Sequence, residues 1–238
     1  MRSFTGKERS SPIPMVVEKV TYKCFPVLMA FLFAMGAGPF PVFSVEGTNL
    51  QDLAKTLADQ KADTLLRMEA ARKLGELKER KYLEALTAAL KDKNKSIRWV
   101  AAEALWEMGD KRAVPALIEY LEKEDAYEWG KVVTMNALAS FKDPQAVGPL
   151  IKMLEAKNPF LRRSAALALA KIGDQKAVPA LIGLLKDEEG WLQRLAQNLL
   201  EELAKENISG ETPAGYEEWI KWYQGRPQPV KIEGVKKE

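Results

Sequence analysis

Histidine is missing from all 238 residues, and the single cysteine, Cys24, falls within the first 44. The first absence removes the side chain that titrates near neutrality and the commonest metal ligand. The second leaves residues 45–238 without a thiol or a disulfide. A Ser-His triad, a thiolate nucleophile and a Cys/His zinc centre are therefore excluded from that region. Charge of one sign is also lacking there. The formal excess of +3 comes from Arg2, Lys7, Arg9, Lys19 and Lys23 set against Glu8 and Glu18, leaving 31 charges of each sign in residues 45–238. No bulk field draws such a body onto a phosphate backbone, so nucleic acid is not an expected partner.

What is present begins with a hydrophobic leader. Residues 24–45 form 22 consecutive uncharged positions behind Lys19 and Lys23, with an apolar stretch from Val27 to Ala37 that runs out in Gly36, Gly38, Pro39 and Pro41. Val42-Phe43-Ser44 then supplies a cleavable end, so basic, apolar and small-residue regions follow in the order of a secretory signal peptide. Residues 1–44 read as this leader, with Met1 and Met15 as alternative starts. Cleavage places the remainder in the periplasm or outside the cell. An uncleaved anchor over residues 24–45 would instead tether it to the membrane, since the run is long enough to span.

The rest is repetitive. The segment from Ile97, IRWVAAEALWEMGDKRAVPALIEYLEKED, returns from Leu161 as LRRSAALALAKIGDQKAVPALIGLLKDEE, two periods further along the chain. Leu138, Phe141, Asp143, Val147 and Leu150 mark an intervening unit lengthened by two residues, and Arg67, Ala70, Leu74 and Leu86 mark one more unit upstream. A further half-unit carries Leu192, Ala196, Leu200 and Leu203. Within a unit, apolar residues recur at helical spacing on two helices, as with Ile97, Ala101, Leu105 and Met108, then Val114, Leu117 and Leu121. Gly109-Asp110 closes the first helix, and Pro115 opens the second where its missing N–H costs nothing. Two helices cannot bury such stripes alone, so successive units must stack. The sequence predicts an all-α, right-handed alpha-alpha superhelix of about four to five two-helix repeats over residues 45–205. A capping helix with Leu50, Leu53 and Leu57 inward opens it. Residues 206–238 supply a second cap, with Tyr216, Trp219, Ile220 and Tyr223 on one helical face, and an extended tail.

The pattern R-x-x-A-A-x-A-L-x-x-[IM]-G-D-x-[KR]-A-V-P-A-L-[IL]-x-x-L resembles the short bacterial HEAT repeats of the phycobiliprotein-lyase type, over about residues 60–205 in adjacent copies. That resemblance implies a HEAT-like solenoid and, most often, an adaptor. Some members of the wider class are chromophore lyases, iron-dependent hydroxylases or DNA-lesion glycosylases. The hydroxylase type binds iron through His-Glu pairs, which a chain without histidine does not have.

Several positions stand out as candidate sites. In HEAT-like solenoids the second helices line the concave side, and one position on them reads Ala89, Tyr120, Met153 and Leu184. This row either takes a partner's helix or completes the packing between units. The lengthened turn EKEDAYEWGK exposes or folds back Tyr127 and Trp129, an amphipathic pair suited to anchoring a partner. Arg67, Arg98 and Arg162 recur at one position, with Lys131 between them, and are expected to fix the turns by pairing with Asp110, Asp143 or Asp174. Glu103 and Glu107 share a solvated helix face, and no catalytic or metal-binding constellation emerges. The expected function is a non-enzymatic, exported protein-protein scaffold without cofactor, whose partner is another protein; the alternative is a lyase-like or accessory subunit of an enzyme complex.

Overall fold

A computed structural model describes residues 50–204, 213 and 215–225. The leader, the alternative anchor and the tail after Gly225 lie outside the described residues. Helix α1 (Leu50–Ala58) is followed by the pairs α2 (Thr64–Glu76) with α3 (Leu83–Ala89) and α4 (Lys95–Met108) with α5 (Val114–Leu121). Next come α6 (Glu128–Phe141) with α7 (Val147–Met153) and α8 (Pro159–Ile172) with α9 (Val178–Gly183). A last first-type helix, α10 (Gly190–Ala204), and the terminal α11 (Tyr216–Gln224) complete the described chain. No helix among the described residues is long and apolar enough to cross a membrane.

The local rules repeat from unit to unit. Asp63, Asn94 and Asn158 cap α2, α4 and α8 by accepting hydrogen bonds from backbone N–H groups two residues on. These are donors that the helix itself leaves unpaired. Helices α4 and α8 end in a left-handed residue, Gly109 at φ 72° and Gly173 at φ 77°. Each second helix is entered through a three-residue 3₁₀ turn, and Asp110, Asp143 and Asp174 close three of these turns by accepting from the backbone N–H of Arg112, Gln145 and Lys176 at 3.0, 2.9 and 2.9 Å. Arg112 also lies against Asp110, at 2.7 Å from Oδ2, and holds that carboxyl well down, at about 2.

Packing follows the chain. Each of α2, α4, α6 and α8 packs on the first helix of the next unit, and each second helix leans on the same neighbour. Leu105 and Leu169 are fully enclosed between such layers. The array is thus an all-helical right-handed solenoid of paired helices, with its apolar residues shared between neighbours and flanked by single helices. Small residues set the spacing. At Gly75 an added Cβ would stand 2.6 Å from the Cα of Ala104, so α2 and α4 touch through their backbones.

The recurring arginines brace the turns between units, with partners other than those expected. Arg98 donates to the carboxylate of Asp125 at 2.7 Å and to the Asp92 carbonyl at 2.7 Å. Arg162 makes a two-pronged contact with Asp187, both bonds 2.8 Å, and reaches back to the Ala156 carbonyl at 2.9 Å. Arg67 is buried against Asp92 and the Leu57 carbonyl. The pairings of Arg98 with Asp110 and of Arg162 with Asp174 are therefore corrected. The two aspartates belong to the turn inside a unit, and the arginines face the turn between units, where Asp92, Asp125 and Asp187 stand. Burial pushes the Asp92 and Asp187 carboxyls up, but the guanidinium bonds and the backbone N–H groups of Asn94 and Glu189 outweigh it, leaving both below the ordinary carboxylate range.

A C-terminal cap closes the array after the fourth unit and the lone helix α10. Trp219 is fully buried and Tyr223 nearly so, while Tyr216 and Ile220 are half-buried, and α11 lies against α9. The Trp219 Nε1–H donates to Gln197 Oε1 at 2.9 Å, and Gln197 donates in turn to the Pro213 carbonyl at 2.8 Å. Gln197 occupies the position where Ala102 and Ala166 admit a following helix. A longer polar side chain there serves a cap.

Candidate protein-binding edge

The row expected on the second helices is not a free surface. Ala89, Tyr120 and Leu184 are buried, and Met153 alone of the four is half-exposed. A helix turns about 100° per residue, and the exposed positions are those one residue earlier: Ala88, Glu119, Lys152 and Gly183. Tyr120 instead fills the space beside α6, where Gly130 stands in place of the larger Ile97 and Leu161. A Cβ on Gly130 would overlap the Tyr120 hydroxyl oxygen. That hydroxyl has no hydrogen-bond partner, and burial raises it to about 12.

Outward-facing residues on and just after the second helices form charge pairs between units: Lys91 with Glu119 at 2.8 Å and Lys152 with Glu122 at 2.7 Å. An open groove of about 420 Å³ between α3 and α5 is floored by Ala88 and Ala116 and flanked by Glu84 and the Lys91–Glu119 pair. It gathers no constellation of reactive groups. Glu103 is half-buried and its carboxyl is raised, first by burial and then by Glu107. Among the described residues no group of three or more acidic, histidine or cysteine side chains is placed to hold a metal ion.

Most of the exposed large apolar residues lie elsewhere, at the N-terminal ends of the first helices, Leu77 just after α2 being the exception. Trp129 is 52% exposed and Phe160 67% exposed, with Tyr127 and Leu65 also in solvent. Trp129, Phe160 and Trp191 occupy the same position in three successive units, each at the second residue of its helix. The rings of Phe160 and Trp191 sit 6.1 Å apart, tilted by 36°. Glu128, at the start of α6, accepts a hydrogen bond from the cap of α8, Asn158 Nδ2, at 2.7 Å, so the helix ends carrying Trp129 and Phe160 are joined directly. Glu189 accepts the Trp191 Nε1–H at 3.1 Å. The Lys95 ammonium lies 5.8 Å from the centre of the Tyr127 ring.

The lengthened turn therefore does project Tyr127 and Trp129 outward. Phe160 joins them in solvent and the half-buried Trp191 packs beside it, two residues that the sequence pattern did not single out. The signal was present: Phe160 follows Trp129 by one whole unit, and Trp191 follows Phe160 by the same interval.

Comparison with known proteins agrees with this architecture. The HEAT-repeat family profile matches residues 50–129 and again 124–201. Among solved structures, the complex of CpcE and CpcF of phycocyanin lyase from Nostoc sp. PCC7120 shares 28% identity with this chain, covering 70% of it and 69% of its own chain, with a TM-score of 0.57. An engineered protein aligns at 22% identity over 65% of this chain and 79% of its own, with a TM-score of 0.48. Escherichia coli YibA aligns at 18% identity over 76% and 66%, with a TM-score of 0.49. No curated protein matches in sequence. With the profile spanning well over half of the residues and the phycocyanin-lyase chains sharing its fold, the chain belongs to the HEAT-repeat family and is related to the phycobiliprotein-lyase type of HEAT-like array.

Proposed function

We propose that this protein is a protein-binding subunit that works as an accessory part of an enzyme complex, and that its aromatic edge seats the partner. The observation that carries the reading is the 28% identity with a structure of two chains, CpcE and CpcF, in complex as parts of a lyase. The edge supplies the contact surface: Trp129 and Phe160 expose large apolar area on rigid helix ends, the kind of residue that anchors an interface. In this reading the chemistry is assigned to the partner.

The test is co-purification of the tagged full chain from its native host, alongside a W129E/F160E variant whose helical signal and melting match the parent. A stoichiometric partner with enzymatic activity, lost from the variant, supports the reading. A protein that purifies alone, or a partner retained by the variant, overturns it.

Export is proposed on the leader alone. The basic, apolar and small-residue order of residues 19–44 directs the array across the cytoplasmic membrane, and cleavage after Ser44 releases it. N-terminal sequencing of the mature protein is expected to begin at Val45. A start at Met1 or Met15 in a membrane fraction would favour the anchor over residues 24–45.

A further inference from the structure

We propose that the array flexes at the junction of its third and fourth units, which acts as a hinge between two braced blocks. The arginines at the recurring position each hold two turns. Arg67 donates to the Leu57 carbonyl in the turn before its helix and to Asp92 in the turn after it. Arg98 spans in the same way from the Asp92 carbonyl to the Asp125 carboxylate, and Arg162 from the Ala156 carbonyl to Asp187. Each guanidinium is thus a rung that ties a first helix to the turn entering the next unit. Unit three lacks its rung: Lys131 stands at the arginine position and Ala156 at the aspartate position. An ammonium group does not reproduce the hold of a planar fork on two turns, and Ala156 offers it no carboxylate.

The packing of unit three is altered as well. The first helices of the other units carry the fully buried pairs Ala70-Ala71, Ala101-Ala102 and Ala165-Ala166. At the matching place unit three has Thr134 and Met135, also fully buried. The Thr134 hydroxyl donates to the Gly130 carbonyl at 2.8 Å, a bond of the kind that slightly weakens and bends a helix. Methionine is unbranched and rotates about three bonds, so it fills more than one spacing where alanine fits one. Apolar stacking continues through this junction, but its pull is non-directional, whereas charge-assisted bonds fix an angle. The Glu128–Asn158 bond that joins α6 to α8 lies on exposed side chains. The motion is a shear of packed helices, of the class that runs on microseconds to milliseconds. Trp129 on α6 and Phe160 on α8 stand on its two sides, so the bend changes the spacing between them. A partner that grips both rings would hold the array at one curvature. That consequence rests on the edge being the partner's seat, and the hinge itself does not.

The test is pulsed electron double resonance on the full chain carrying Cys24→Ser, with spin labels on exposed residues of the turns inside units, at the end away from the rungs. The span K111C/K176C crosses the third and fourth units, and the reference span K81C/Q145C covers the same number of units across complete rungs. A broader distance distribution is expected for the first span. Completing the rung with K131R/A156D should narrow it to the width of the reference. R98M, which breaks a rung inside the reference span, should broaden that one. Helical signals matching the parent show that each variant is folded. Parent spans of equal width overturn the inference whatever the variants do. A wider first span that the repair leaves unchanged, with R98M also without effect, overturns it too, because the flexing then has another cause. Neither result touches the partner's seat, which co-purification with W129E/F160E tests separately.

Discussion

Units two and four are near copies, and unit three between them departs from both at its polar brace and at both ends of its first helix. Where the neighbours place Arg98 and Arg162, unit three has Lys131. Where a partner aspartate would stand in its following turn, it has Ala156. Its first helix starts from Tyr127, whose side chain makes no cap, in place of asparagine. It ends on Lys142, held at φ 51° where the others have glycine. The braces consequently run in two blocks. One links Leu57, Arg67, Asp92, Arg98 and Asp125. The other links Ala156, Arg162 and Asp187, whose carbonyl accepts from Gln193 at 2.7 Å. Between the blocks, exposed contacts such as Glu122–Lys152 and Glu128–Asn158 take over. Even within the first block the last link is looser: the Asp125 carboxylate is 60% exposed, against 3% for Asp92 and 7% for Asp187. A solenoid needs apolar stacking at every junction, whereas its polar braces can lapse at one.

The comparison is sharpest at the braces themselves. Arg162→Met leaves Asp187 buried without its cation and is expected to cost about 3–5 kcal/mol in chemical unfolding. Lys131→Met, at the matching position, should cost only about 0.5 kcal/mol or less. Equal costs would mean that the arginine is replaceable and the blocks are not distinct.

Next in size is the exchange of bulk between Tyr120 and Gly130. Gly130→Ala drives a methyl group into the tyrosine hydroxyl and should destabilise by about 1–3 kcal/mol. Adding Tyr120→Phe removes the obstructing oxygen and also a buried hydroxyl without a partner. The double variant should recover about 1 kcal/mol or more of that loss, and additive costs in the double-mutant cycle would contradict the contact.

Acid should act on the braced blocks. The Asp92 and Asp187 carboxyls lie below the ordinary value of 3.8 in the folded chain, so their contribution is complete above that pH. It is lost as pH falls through their depressed values. Denaturant midpoints are expected to hold steady from neutrality to about pH 4 and then decline. A midpoint unchanged down to about pH 2 would remove these carboxylates from the account. A small gain is expected at Lys142. Glycine there relieves the left-handed strain and should stabilise by about 0.5–1 kcal/mol, the gain reduced by glycine's freedom in the unfolded chain.

Much of the scaffold was legible because the stacking rules act locally. Leu105 and Leu169 stand in the same frame two units apart, and Gly109, Gly173, Pro115 and Pro179 punctuate the helices wherever they occur. The brace partners were harder to see. Asp92 and Asp187 follow their arginines at one common interval, but Asp125 lies farther along from Arg98, because the insertion in the turn falls between them. The aspartates next to Gly109 and Gly173 are more conspicuous, and their work is done on the backbone two residues away. The second-helix row packs between units instead of lining a free surface, and the two outcomes were not separable for an angular reason: helices of six to eight residues give too short a stripe to fix the outward face, and a shift of one residue moves a side chain from solvent into the junction. The aromatic edge was seen only at Tyr127 and Trp129, because Phe160 and Trp191 stand among residues that pack, and periodicity alone does not say which end of a helix is uncovered.

Native-state hydrogen exchange on the full chain, with and without Arg162→Met, tests most directly whether stability here is a sum of neighbour-to-neighbour contacts. Protection should fall in α8, α9 and α10 while α2, α3 and α4 keep theirs. A uniform loss of protection from α2 to α10 would show one cooperative core in place of a stack.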